Sequence, residues 1–434
     1  MWEPRAPDSV WGMTSDNPTA STPDLTAAAR RALVDPAGAP ADVAAHARAS
    51  AHPALTAAQP RRRRYSLALG IVGVIVLAVL SLIVTAYLIG GLGPDAFALG
   101  GIMALVPLAI VFLGARWIDR WEPEPRLAVI FAFLWGSAAA VLIALVVGSE
   151  VSNWVTAATG LNSGSFDFFA SVIQAPIVEE AGKGLGILLI FLVARKFFDG
   201  PVDGVVYAAW VAGGFAFTEN ILYFGGQLLD VGGLNGSVYE IFLIRGFMSP
   251  FAHVMFTMCT GIALGIAARR GYRPLRAIGV LVIGLIPAIL LHALWNGALY
   301  FVYDFYGYYA IVQFPLFVIA VLLVVNLRRQ EAKLTFDRLS EYANVGWFRQ
   351  DEVAALATAA GRRVAISWAK RNGRSREMKQ YIADATKLAF ARQRIVTERG
   401  SIGAAADEAA LLGAIVDSRT ALVGTAHVGT EVRA

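Results

Sequence analysis

Residues 169–194 read FASVIQAPIVEEAGKGLGILLIFLVA. A helix that crosses the hydrocarbon of a bilayer takes about 20 mostly apolar residues, and this run is long enough. Yet Glu179, Glu180 and Lys183 stand inside it. Glu179 and Lys183 are four apart and Glu180 and Lys183 three apart, so on one helix surface both acids can meet the lysine. Ionisable groups at membrane depth normally face a protein interior or a wet cavity. The stretch therefore predicts one helix of a polytopic bundle, with a polar face turned inward.

Working outward, seven more apolar stretches appear, at about 66–90, 96–115, 127–149, 203–224, 241–268, 276–300 and 308–327. Eight spans result. Composition agrees: 57% of the 434 residues are hydrophobic, 16% are charged, and the mean hydropathy is +0.58. A soluble domain averages about 45–50% apolar and about 25% charged, so an ordinary soluble enzyme, a coiled coil and a disordered chain are all excluded. A single cysteine, Cys259, excludes an intramolecular disulfide framework and a Cys-based zinc site.

The loops test the count. Linkers near Arg116–Arg126, Arg195–Lys196 and Arg269–Arg276 hold nine of the eleven Lys/Arg between Tyr65 and Leu327. Loops near Asp95, Glu150–Asp167, Asp230–Glu240 and Asp304 hold none. Basic and non-basic loops alternate, as the positive-inside rule requires of an even number of spans, with both termini cytoplasmic. The expected architecture is all-α: an eight-span membrane domain over residues 65–327, a disordered cytoplasmic tail over 1–64, and a small cytoplasmic helical region over 328–434. Arg61–Arg64 read as a topology signal beside the bilayer rather than as a nucleic-acid contact, and no nucleic-acid partner is expected. The tail has no apolar run after a basic start, so no secretory signal is read in it.

The other two basic residues of the core, Lys183 and Arg245, lie in or at the edge of spans, as do Glu179, Glu180, Glu219, His253 and His292. All seven fall on spans 4 to 7. Two adjacent carboxylates in a low dielectric do not readily both carry charge without a compensating cation, which is a setting for general-base chemistry. The bland alternative is a structural Glu–Lys pair joining two helices. Glu219, in Phe215-Ala216-Phe217-Thr218-Glu219-Asn220, reads equally as interfacial polarity. Arg245, Ser249 and His253 repeat every four residues and form one polar stripe; His292 and Asn296 share a face in the next span. Two histidines and three glutamates on neighbouring spans match ligand types that zinc accepts. Asn296 could orient His292 or donate to an oxyanion. Pro176, Pro250 and Pro287 precede Glu179, His253 and His292 by three, three and five residues. Each can kink its helix, as is tolerated at depth beside a cavity.

The pattern resembles the PrsW family of intramembrane proteases. Its motifs read here Glu179-Glu180-x-x-Lys183, Phe215-x-x-x-Glu219-Asn220, His253, and His292-x-x-x-Asn296. An upstream Asp119-x-x-Glu122-Pro123-Glu124-Pro125 is also similar. The resemblance covers about Arg116 to Tyr300, and the family is grouped with CAAX-type prenyl endopeptidases. It implies peptide-bond hydrolysis in or beside the cell membrane, on a membrane-anchored protein substrate. By that analogy Glu179 is the general base, and Glu180, Glu219, His253 and His292 bind metal or water. Metal dependence is the usual description; the prenyl endopeptidases raise a metal-free glutamate mechanism. No His-Glu-x-x-His motif is present. The expectation is thus an intramembrane protease. Glu179, with Glu180 and Lys183, activates water, and Glu219, His253 and His292 hold zinc or position the water. Asn296 or Arg245 stabilises the oxyanion. The rivals are a transporter using the same groups as a proton relay and a non-catalytic membrane scaffold.

Overall fold

Segments of Leu, Ile, Val and Ala that meet no water must satisfy their backbone groups internally, and within one segment only a helix does so. The computed structural model describes residues 59–160, 162–195, 197–397 and 403–423, and every regular element among them is helical. The disordered tail expected over 1–64 lies outside the described residues up to position 58. Gln59–Arg64 already belong to the first helix.

Helix α1 (Gln59–Ile118) is broken at Gly93, whose φ of 74° and ψ of 160° only glycine adopts freely, with Pro94 following. Gly70 and Gly73 abut Leu127 and Phe131, at the end where the second limb also finishes. The two limbs therefore run antiparallel. Next come α2 (Arg126–Leu134) and α3 (Val141–Thr159), joined through a π-helical turn at Trp135–Ala140. Helix α4 (Ser163–Phe168) continues through a second π turn at Phe169–Gln174 into α5 (Ala175–Val193). Helix α6 spans Pro201–Val231. Helix α7 (Gly236–Phe242) and the π turn Leu243–Met248 lead, past a break at Ser249–Phe251, into α8 (Ala252–Arg269). Helix α9 spans Pro274–Phe301; α10 (Phe305–Tyr308) passes through a π turn at Tyr309–Gln313 into α11 (Phe314–Asn344).

Six of these helical stretches are long and apolar enough to cross a membrane: Ala68–Ile118, Arg126–Thr159, Pro201–Val231, Gly236–Arg269, Pro274–Phe301 and Phe305–Asn344. The sequence predicts eight. The difference has two physical causes. The first stretch is a single helix on its hydrogen bonds but two limbs at Gly93. The stretch Ser163–Val193 carries four ionisable residues, Asp167, Glu179, Glu180 and Lys183, where a span is ordinarily apolar.

Helix α6 is the axis of the bundle: 78% of its most apolar stretch is buried, against 11% for α1. Its inner position depends on glycine. A Cβ on Gly204 would fall 1.9 Å from the Gly261 carbonyl oxygen, and one on Gly265 would fall 2.4 Å from the Gly200 oxygen. Helices α6 and α8 thus touch backbone to backbone, the close approach that small residues permit in membranes.

Helix α11 runs without a break from the apolar bundle into a second helical unit. That unit comprises α12 (Gln350–Leu356), α13 (Ala359–Arg371), α14 (Ser375–Val396) and α15 (Gly403–Val423). It has its own apolar core around Leu339, Met378, Tyr381, Leu388 and Ile415. Two arginines dock it on the membrane helices. Arg394 pairs with Asp199 at 2.6 Å, just before α6. Arg362 donates to the Trp121 carbonyl at 3.0 Å and lies 3.4 Å over the Trp121 ring. The Asp119–Pro125 motif is therefore at this end of the bundle. Burial pushes the Asp119 carboxyl up to about 6 and holds Glu122 and Glu124 well above the usual carboxylate range. Tyr207 donates to Glu124 at 2.5 Å.

Candidate active site

Helix α5 delivers both glutamates and the lysine on one face, as the spacing predicts. Lys183 is fully buried, and its ammonium lies 3.2 Å from Glu179 Oε2, 2.9 Å from Glu180 Oε1 and 3.1 Å from His253 Nδ1. Three N–H groups meet three acceptors. The Phe215 ring covers the remaining side, 3.9 Å from Nζ, which suits a desolvated cation.

The two acids differ in surroundings. Glu180 is fully buried; its Oε1 also faces His292 Nδ1 at 3.1 Å, and its Oε2 accepts from Thr257 Oγ1 at 2.8 Å. A carboxylate against Nδ1 accepts its N–H, so in the neutral ring Nε2 is the acceptor nitrogen, and it lies 3.9 Å from Glu179 Oε2. Phe256 stacks on the His292 ring at 5.0 Å. Glu179, by contrast, keeps 14% of its side chain accessible. Of the pair, only Glu179 can meet a water molecule or a substrate.

Across the cluster, Glu219 Oε2 accepts from His253 Nε2 at 2.7 Å and from Arg245 Nη2 at 2.8 Å. Arg245 also donates through Nε to Asn220 Oδ1 at 2.8 Å and lies 3.9 Å over the Tyr223 ring. The open edge of the cluster is formed by Glu179, Glu219, Arg245 and His253, whose side chains are 11–17% accessible. The structure thus brings seven sequence-predicted residues from α5, α6, the π turn before α8, α8 and α9 into one network. Asn296 sits apart: its amide donates to the Ser171 carbonyl at 2.8 Å, in the π turn that leads into α5. Ser249 likewise turns back, its Oγ donating to Ile244 O at 2.7 Å. Thr257, Phe256 and Tyr223 were not singled out by sequence. The only signal for Thr257 and Tyr223 was their four-residue distance from His253 and Glu219.

One ligand atom each from Glu179, His253 and His292 lie within 4.8 Å of one another. A carboxylate oxygen with two imidazole nitrogens is a donor set that zinc accepts. His292 is prepared for it, since a metal-binding histidine ordinarily gives its other N–H to a carboxylate, here Glu180. His253 is placed differently. An ammonium only donates, so Nδ1 accepts from Lys183 and Nε2 carries the proton given to Glu219. To hold an ion through Nε2, His253 releases that proton and Lys183 turns away from Nδ1.

Residues 124–324 match a family model described as PrsW family intramembrane metalloprotease. Protease PrsW of Clostridioides difficile is 28% identical over 244 residues, 56% of this chain and 95% of that protein. Protease PrsW of Geobacillus kaustophilus is 31% identical over 148 residues, 34% of this chain and 57% of that protein. That of Bacillus subtilis is 30% identical over 147 residues, 34% and 59%. No solved structure matches.

Proposed function

Residues 124–324 of this multi-pass membrane protein belong to the PrsW family of intramembrane metalloproteases, and from that premise we propose that this peptidase cleaves a membrane-anchored protein at the Glu179–His253–His292 cluster. The observation that carries the reading is the convergence of the rare ionisable residues of four helices on one network whose open edge holds two carboxylates: Glu219, already engaged by Arg245 and His253, and Glu179, the accessible one of the buried Glu179–Glu180 pair. Glu179 takes a proton from water as the water oxygen bonds to the scissile carbonyl carbon. The same proton passes to the amine nitrogen as the C–N bond breaks. Glu180 holds His292 in one tautomer and Lys183 balances the two acids. Arg245, at the open edge, faces the developing oxyanion; Asn296 braces the π turn before α5. Zinc, held by His292 and His253 beside Glu179, would supply Lewis-acid polarisation of the water.

Reconstituted protein should cleave a single-pass reporter, lose that activity on chelation, and regain it with zinc. Full cleavage by protein whose metal content has fallen to zero would overturn the zinc assignment and leave Glu179 to act alone.

The same reading has eight crossings, counting the two limbs of α1 and the charged stretch Ser163–Val193, with both termini in the cytoplasm. Tags at Met1 and Ala434 should be accessible only from the cytoplasmic side, and the loop around Asn162 only from outside. Labelling that finds the termini on opposite sides would remove the eight-crossing arrangement.

A further inference from the structure

Threonines inside helices ordinarily return their hydroxyl to the carbonyl four residues back. Thr159, Thr335, Thr386 and Thr420 do so here, at 2.7, 3.0, 2.7 and 2.8 Å. Thr257 does not. Its Oγ1 reaches from α8 to α5 and donates to Glu180 Oε2 at 2.8 Å, in a place where both residues are fully buried. It stands one turn after His253, so the helix that supplies a site imidazole also supplies this hydroxyl.

We propose that Thr257 is a positioning residue of the peptidase reaction, holding the Glu180 carboxylate in the orientation that fixes the His292 ring. The proposal rests on the reading of the cluster given above. Glu180 Oε1 takes the Lys183 ammonium and His292 Nδ1; Oε2 has Thr257 as its partner. Without the hydroxyl, Oε2 is a buried charged oxygen with no donor, a costly arrangement that the carboxylate relieves by rotating. Rotation carries Oε1 away from Nδ1. The ring then loses the bond that sets its tautomer, and Nε2 loses its aim toward Glu179. Phe256 stacks on the ring face and does not constrain the choice of tautomer.

Thr257→Val keeps the branched shape and removes the hydroxyl; Thr257→Ser keeps the hydroxyl and removes a methyl. In reconstituted full-length protein acting on a single-pass reporter, Thr257→Val should lower kcat about 10–100-fold, the usual cost of losing an outer partner of a site histidine, with KM little changed. Zinc affinity, read by competition with a chromophoric chelator, should weaken over the same range. Thr257→Ser should restore most of both. If the valine variant does not accumulate, Thr257→Ala removes the same hydroxyl with less bulk and carries the same comparison. Unchanged kcat and zinc affinity in the variants lacking the hydroxyl would overturn the proposal. So would a serine variant as impaired as the valine one, since packing would then be the cause. Failure of the parent reading looks different: full cleavage by Glu179→Gln, whatever the Thr257 variants do.

Discussion

Glu179→Gln is expected to lower turnover of a single-pass reporter by about 10²–10⁴-fold, the contribution of a positioned general base, while the protein inserts and accumulates normally. Glutamine keeps the size of the side chain and can still accept from Lys183 Nζ, which lies 3.2 Å from Glu179 Oε2. What it loses is the capacity to take a proton from water. Stability is not expected to fall, because removing a charge that is partly desolvated costs little where a hydrogen bond survives. His253→Ala and His292→Ala should abolish turnover as well and lower bound zinc. The measurement is cleavage in membranes with the abundance of each variant determined alongside. A glutamine variant that cleaves like wild type would remove Glu179 as the base; wild-type cleavage by both histidine variants too would leave the cluster as structure only.

Lys183→Met acts on stability before it acts on chemistry. The ammonium is fully buried, balances two carboxylates at 2.9 and 3.2 Å, and gives its third proton to His253. Methionine fills the volume but leaves Glu180 fully buried without its cation. Breaking a buried pair from one side costs about 3–5 kcal/mol, a large part of what holds an ordinary domain together. The variant should melt earlier in detergent and accumulate poorly. Lys183→Met with Glu180→Gln should recover most of the stability, because the orphaned charge is gone, and should stay inactive, because His292 has lost its carboxylate. A single variant that melts like wild type would show that the pair is neutralised by another route.

Much of this was legible in the chain. The apolar runs, the alternating basic loops and the four-residue spacings led directly to the helices and to the network of Glu179, Glu180, Lys183, Glu219, Arg245, His253 and His292. Each of those signals is local or follows from the cost of charge in hydrocarbon. What was not legible depends on cross-helix geometry. Spacing puts Asn296 on the His292 face, but the π turn at Phe169–Gln174 offers a free carbonyl at Ser171, and the amide goes there. The same spacing put Ser249 in the polar stripe, yet its hydroxyl closes on Ile244 O. Whether a helical threonine bonds backward or across cannot be read from its neighbours in sequence, so Thr257 stayed hidden. The docking of Arg362 and Arg394 was hidden too, since surface and buried arginines look alike in a charge count. The span count differed where local hydropathy fails: at the Gly93 break and in the charged stretch around α5.

The Lys183 bonds to Glu179 and Glu180 have a consequence for biosynthesis. Both lie within α5, at i,i+4 and i,i+3, so they form as soon as that helix does. When α5 reaches the translocon, α6, α8 and α9 have not yet emerged, and none of their groups can compensate its charges. The helix carries its own counter-ion and emerges as a partly compensated cluster with one excess negative charge, not as three separate ions. Glu219 has no such companion on α6. Its arginine, Arg245, follows 26 residues later. Helix α6 and the α7–α8 segment therefore complete the charge balance of Glu219 only as a pair, so insertion as a hairpin spares the cost of a lone carboxylate in lipid.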